Sequence, residues 1–349
     1  MRAASPDTTR ATEQWFLQHG LSYFVPEERR AAREALRPRR VLPLVVVVAL
    51  LATGAGGLLA WVSRQVTVAP ALLLSLGLAA ATWYALTALR ARPIVTWALA
   101  RAAGSLRTLL PMATRALPLL LMFITFLFIN TEVWQVASNL GAGALWLTAL
   151  LFLVLGAAYL VVRLPEEVDR TDDDVDDRFL LDACAGTPLE HACRELVEDP
   201  ASDPASYAEV TGFARWNLVL VLMIVQLVQV LLLTVSVFVF LMVFGSLIMT
   251  QDVMKDWAIA PTTHLPGLTS VSRELFQVSV FLAAFSGLYL TVSTVTDETY
   301  RGQFFAGVTR ELERAVGVRA VYLALRDHVP DRDHDRPPVV DEGPVAERR

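Results

Sequence analysis

The sequence predicts an all-α membrane protein with six transmembrane helices in three hairpins, both termini cytoplasmic, and helical segments in the aqueous phase. Three observations carry that prediction. Residues 216–251 form a 36-residue run without a formal charge, and five other apolar stretches of roughly spanning length accompany it. A charge-free run of this length becomes a helix in lipid, because no water is present to satisfy the backbone amides and carbonyls. The composition is 54% hydrophobic and 19% charged, with the charges gathered outside the apolar stretches. With the N-terminus placed inside, 27 of the 30 basic residues fall on the cytoplasmic side, leaving Arg64, Lys255 and Arg273 outside. That asymmetry selects an even number of spans.

Residues 1–40 read as a cytoplasmic amphipathic region. A helix over 12–19 stops at Gly20, and a second over 26–36 carries Pro26 in its first turn. Trp15, Phe16, Leu17, Tyr23 and Phe24 crowd this region. Aromatics beside a polybasic stretch suit a membrane surface, and they suit equally a core shared with other cytoplasmic segments. The first apolar run follows about forty residues of chain and the cations Arg37, Arg39 and Arg40, so it reads as a retained helix and not a secretory leader.

Residues 41–162 hold spans one to four, at 41–62, 66–89, 117–138 and 142–162. Gly54, Ala55, Gly56 and Gly57 in the first, with Ser75, Gly77 and 79–81 in the second, allow close packing as a hairpin. Between spans two and three, Pro93 and Pro111 bracket a segment with Arg101 and Arg107 that reads as an interfacial helix. Residues 163–216 form an acidic cytoplasmic loop with 15 Asp and Glu against 5 Arg. Two capping boxes are legible there, Thr187 with Glu190 and Ser206 with Glu209, separated by a doubled Asp-Pro-Ala-Ser linker.

Residues 217–296 hold spans five (217–244) and six (275–295). The long charge-free run has no turn chemistry midway, so it reads as one tilted helix projecting beyond the membrane, with a bend near Gly245 and Ser246. Residues 297–326 read as a cytoplasmic amphipathic region. A helix over 299–316 places Phe304, Phe305, Val308 and Leu312 on one side, Gly317 interrupts it, and 318–325 is apolar enough to be buried. Residues 327–349, rich in proline and charge, read as a disordered tail.

Candidate chemistry is sparse. Gly-x-Ser-x-Gly, His-Glu-x-x-His and a phosphate-cradling glycine loop are all absent from the sequence. Cys184, His191 and Cys193 could ligate a metal, but their spacing matches no familiar zinc arrangement, and Cys193 shares an apolar stripe with Leu189 and Leu196. His328 and Asp333 repeat a His-x4-Asp spacing found in some lipid acyltransferases, here inside an Asp-rich tail where such spacing arises by coincidence. No cofactor is expected.

The remaining leads are the intramembrane polar residues Glu132, Gln226 and Gln229. A carboxylate inside a span must be protonated, paired or hydrated. Thr125, Phe128, Glu132 and Gln135 fall on one stripe of a continuous third span, and Gln226 and Gln229 share a face of the fifth. A polar route between these helices is one reading. The other is that Glu132 belongs to the interface with Trp134 and that the glutamines join helices by hydrogen bonds.

The phrases WFLQHG at 15–20, NTEVWQ at 130–135 and TDETYR at 296–301 resemble a group of uncharacterised multi-pass membrane proteins from high-GC Gram-positive bacteria. The resemblance implies a bacterial plasma membrane and brings no activity. The sequence therefore predicts a non-enzymatic scaffold or regulator whose partners are the bilayer and a cytoplasmic protein or second copy, with no nucleic acid. A small transporter or channel for an ion or small solute is the alternative, and a lipid-modifying membrane enzyme is a third reading without a supporting motif.

Overall fold

The computed structural model describes residues 6–173, 175–200, 202–257, 264–265, 268–296 and 298–327. The N-terminal region folds as α1 (Pro6–Gln18) and α2 (Pro26–Ala35), joined by a 3₁₀ turn at Ser22–Phe24. Gly20 ends α1 at φ 71°, and a Cβ there would lie 3.0 Å from Trp97, so backbone conformation and space both call for glycine. The chain continues as α3 (Pro38–Ser63) and α4 (Val68–Thr87). Both are long and apolar enough to cross a membrane. They pack on each other where Gly56 meets Ala69, a Cβ at Gly56 being 3.1 Å from the Ala69 Cα. Gly54, Gly57 and Gly77 have nothing within 4 Å, so of the expected small-residue seam only its Gly56 portion closes.

The third span departs from expectation. α5 (Arg92–Phe128) is one helix of 37 residues, continuous through Pro111. The helix expected between the prolines is thus not separate from the third span. Its first turns are amphipathic as expected, with Ile94, Ala98 and Ala102 buried and Leu99 and Arg101 exposed. At its other end α5 breaks, and α6 (Thr131–Ser138) leaves at a bend of 74°. The NTEVWQ phrase explains the break. Asn130 caps α6 by accepting from the Val133 amide at 3.1 Å. The buried Trp134 indole then donates to the Phe128 carbonyl at 2.6 Å, satisfying an acceptor that the end of the helix leaves free.

Next come α7 (Ala142–Asp173), α8 (Asp177–Cys184), α9 (Glu190–Glu198), α10 (Gly212–Ile248) and α11 (Gln251–Asp256). α7 does not stop at 162; it runs three turns further, through Pro165. The Thr187 box forms one residue out of register: Thr187 Oγ1 accepts from the Leu189 amide at 3.3 Å and Glu190 accepts from the Gly186 amide at 2.8 Å. No box forms at Ser206, whose hydroxyl donates back to the Asp203 carbonyl at 2.6 Å within a 3₁₀ turn. α10 is a single helix of 37 residues, as the absence of midway turn chemistry predicted.

A short antiparallel pair, β1 (His264–Leu265) and β2 (Leu268–Ser272), is the one regular element other than helix among the described residues. α12 (Arg273–Thr296) and α13 (Glu298–Asp327) complete the chain. Gly317 does not interrupt α13. A Cβ at Gly317 would sit 2.5 Å from the Ala183 Cβ, so this glycine serves the close approach of α13 to α8. The Phe304, Phe305 and Val308 side chains, Arg107, and the tail with His328 and Asp333 lie outside the described residues.

Among the described residues five helices are long and apolar enough to cross a membrane, six if the bent α5–α6 pair is one span. The spanning bundle centres on α7, α10 and α12, with the end of α5 and α6 against α10 and α12. Its apolar core joins Ile124, Phe128 and Trp134 to Val237, Leu241, Leu275 and Val278. Gly245 is tight because a Cβ there would overlap Leu275 and Phe128.

Candidate functional site

At the end of the bundle opposite Trp134, the N-terminal segment, the 163–211 segment and α13 converge on one hydrophobic core. It takes Phe16 from α1, Phe24 from the 3₁₀ turn, Leu164 from α7, Leu180 from α8, Leu196 from α9, Leu218 and Leu222 from α10, and Val316 to Leu325 from α13. Phe16 stacks edge-on against both Phe24 and Tyr322 with ring centroids 5.4 Å apart. Of the two readings of the N-terminal aromatics, the shared core is the one realised. The chain thus carries a folded aqueous domain assembled from three regions distant in sequence.

Polar side chains lock this assembly. Asn217 is fully buried; its Oδ1 accepts from the Tyr23 amide and its Nδ2 donates to the Gly20 carbonyl, both at 2.9 Å. Both groups of its amide are thereby matched to backbone of the turn after α1. Arg29 donates to the Tyr23 and Phe24 carbonyls at 3.0 and 3.1 Å. Arg319 donates to the Tyr207 and Glu209 carbonyls at 3.3 and 2.9 Å while lying over the Phe24 ring. Tyr322 donates to Glu13 at 2.7 Å, and Tyr23 to the Leu89 carbonyl at 2.8 Å. Burial pushes both phenols up to about 12, with the Glu13 hydrogen bond adding to the shift at Tyr322 and the charge of Glu28 adding at Tyr23.

The same core places the cysteines. Cys184 and Cys193 are buried and hydrogen-bonded to each other, which together with burial pushes the Cys184 thiol up. His191 points away, 87% exposed and 3.5 Å from Glu195. The three residues are not brought together. Among the described residues no group of three or more His, Cys, Asp or Glu side chains converges at metal-binding distance.

The intramembrane candidates are also separated. Glu132 is exposed in the first turn of α6, and the bend before it removes the stripe that joined it to Thr125 and Phe128. Gln135 is exposed as well and donates to the Trp257 carbonyl at 3.1 Å. Gln226 and Gln229 are 2% and 3% exposed, and Gln229 Oε1 accepts no hydrogen bond among the described residues. Phe128, near Glu132, packs at Gly245, sixteen residues along α10 from Gln229. That spacing is about 24 Å at 1.5 Å per residue, so the carboxylate and the glutamines occupy different levels of the bundle.

Sequence reasoning missed three residues of this architecture. Asn217 read as the first residue of a span; its place directly after Arg215 and Trp216 was the available signal that α10 begins outside lipid. Arg319 sat in a stretch marked only as apolar. Glu274, beside Arg273 at the start of α12, is the more buried carboxylate at the far end of the bundle, one turn from Gln277, which donates to the Leu140 carbonyl at 2.8 Å. Compared with known protein families, curated proteins and solved structures, the chain matches none.

Proposed function

We propose that this chain is a non-enzymatic scaffold or regulator of a bacterial plasma membrane, acting through its aqueous domain on a cytoplasmic protein or a second copy. The observation that carries the reading is the single core shared by the N-terminal segment, the 163–211 segment and α13. Such a core requires the three segments to lie on one side of the membrane. The concentration of 27 of the 30 basic residues on that side of the spans supports the cytoplasmic side, with both termini inside. The kinship with multi-pass proteins of high-GC Gram-positive bacteria belongs to the same proposal.

A domain built this way presents a defined surface. Asp182 on α8 and Arg194, Glu195 and Glu198 on α9 are exposed, while the opposite faces of both helices are buried. The two helices pack on each other and on α13.

The test uses photo-crosslinking amino acids at Asp182, Glu195 and Glu198 of the full chain in native membranes, with reconstituted protein assayed in parallel for solute flux. A discrete protein adduct that repeats at these positions, with no flux, is the expected result. Absence of any adduct, together with a flux that Gln226→Leu or Gln229→Leu abolishes in folded protein, overturns the proposal in favour of transport.

A further inference from the structure

A cavity of about 160 Å³ lies inside the spanning bundle, between α7, α10 and α12. It exists because small residues meet there: Gly156 and Ala157 from α7 face Ala284 and Gly287 from α12. Gly287 admits no side chain, since a Cβ would lie 2.6 Å from the Thr234 hydroxyl. At Gly156 a Cβ would meet Thr291 at an ordinary 3.5 Å, so the space in front of it is open. The Thr291 hydroxyl donates to the Gly287 carbonyl at 2.8 Å, directing its hydrogen into the helix backbone and leaving an apolar wall.

The mouth of the cavity identifies its occupant. Leu153 and Leu231 line it, and they are 45% and 61% exposed. They continue into the exposed apolar belt of the same two helices, formed by Leu151 and Leu155 on α7 and Val235 and Val239 on α10. Gly156 is fourteen residues from the start of α7 and Gly287 fourteen from the start of α12. Each is therefore about 21 Å from the bundle end remote from the aqueous domain, within a hydrocarbon layer about 30 Å thick. An opening at that depth faces lipid chains and not headgroups or water.

Water does not suit this space, because an ordered water needs two to four polar partners. An empty void would leave its lining without dispersion contacts on one side. Dry apolar cavities of about 150 Å³ accept benzene-sized groups, a volume that a few consecutive methylenes also fill. We propose that the cavity is a lipid-chain site, which seats a segment of one acyl chain from the leaflet on the aqueous-domain side. Its selectivity is for an unbranched hydrocarbon, since Gly156, Ala157 and Gly287 leave a narrow slot whose lining is apolar except for Thr234 and Thr291.

The experiment places the full-length protein in phosphatidylethanolamine and phosphatidylglycerol vesicles doped with a phosphatidylcholine that carries a diazirine midway along one acyl chain. After photolysis, adducts are mapped by peptide. The peptide containing Gly287 should carry several-fold more adduct than the one containing Leu50 and Leu58, which report bulk lipid on the exposed face of α3. Gly156→Leu, which fills the slot, should reduce labelling at Gly287 at least fivefold and leave α3 unchanged. Leu153→Trp closes the mouth from an exposed position and guards against misfolding of the first variant; the same loss is expected. Labelling at Gly287 no higher than on α3, or labelling that survives Leu153→Trp, overturns the proposal.

Discussion

Replacing Asn217 with leucine removes two hydrogen bonds at once from a site with no access to water. The Tyr23 amide and the Gly20 carbonyl, both 2.9 Å from the Asn217 side chain, are left buried and unmatched. Each such group costs about 1–3 kcal/mol, so the expected penalty is about 2–6 kcal/mol. Leucine shares the branched shape of asparagine but is larger, so no cavity forms and any overpacking at this fully buried position adds to the penalty. The penalty falls on the attachment of α1 and the Ser22–Phe24 turn, because Asn217 grips no other element. Hydrogen exchange at residues 16–25 is the assay, with α12 as the internal reference. At about 1.4 kcal/mol per tenfold change, exchange through opening of the N-terminal segment should accelerate by about 30-fold or more. Acceleration under about threefold, with α12 unchanged, would refute the claim that this side chain ties α10 to the N-terminal region.

Gly317→Leu should destabilise the aqueous domain by about 1–3 kcal/mol through overpacking against Ala183, read as a lower melting temperature, and Ala183→Gly should restore part of the loss. Tyr23 and Tyr322, both held up to about 12, should titrate after ordinary tyrosines; because their folded values exceed the unfolded one of 10.0, the stability they contribute is complete below about pH 10 and is lost as pH rises through about 12. Phenolate absorbance followed alongside unfolding checks this, and early titration of all 7 tyrosines would contradict it. Glu132→Gln should cost less than about 1 kcal/mol, the scale of a charge at an exposed helix N-terminus, and leave any phenotype intact; a folded but inactive variant would instead indicate an ion route. Reporter fusions after Arg39 and Arg170 should read cytoplasmic and a fusion near Arg64 external, and an external Arg170 would refute the topology.

The parts legible in the sequence were those governed by lipid. Apolar run length fixed α3, α4, α10 and α12 to within a few residues, because a bilayer imposes one rule on every residue within it. Helix ends were legible where one residue decides them, as at Gly20 and Pro26. The bend at Asn130 was not, although its capping residue was visible, because continuous apolar sequence on both sides satisfies a span as well as it satisfies two helices. Gly317 misled for the opposite reason. A glycine inside a helix lowers propensity by about 1 kcal/mol, and only knowledge of Ala183 on a distant segment shows that packing outweighs it. The stripe through Glu132 failed with the bend, since it assumed a straight helix.

The length of α10 acquires its meaning from the domain. Thirty-seven helical residues measure about 55 Å, well beyond the hydrocarbon thickness of about 30 Å. The surplus lies at the N-terminal end, where Ala214, Leu218, Leu222 and Val225 belong to the aqueous core, and not at the Gly245 end, where Leu275 and Phe128 close on the helix. This leaves about 23 residues, from Gln226 to Ile248, to cross the membrane, which matches a single span. Charge-free sequence could not separate the two portions because a protein core and a lipid core select the same side chains. α7 repeats the arrangement, with Leu160, Leu164 and Val168 in the aqueous core and its earlier turns in the bundle. Two unbroken helices therefore belong to both the domain core and the bundle, and on α7 the passage from one to the other lies between Gly156, one turn before Leu160, and Pro165, next to Leu164.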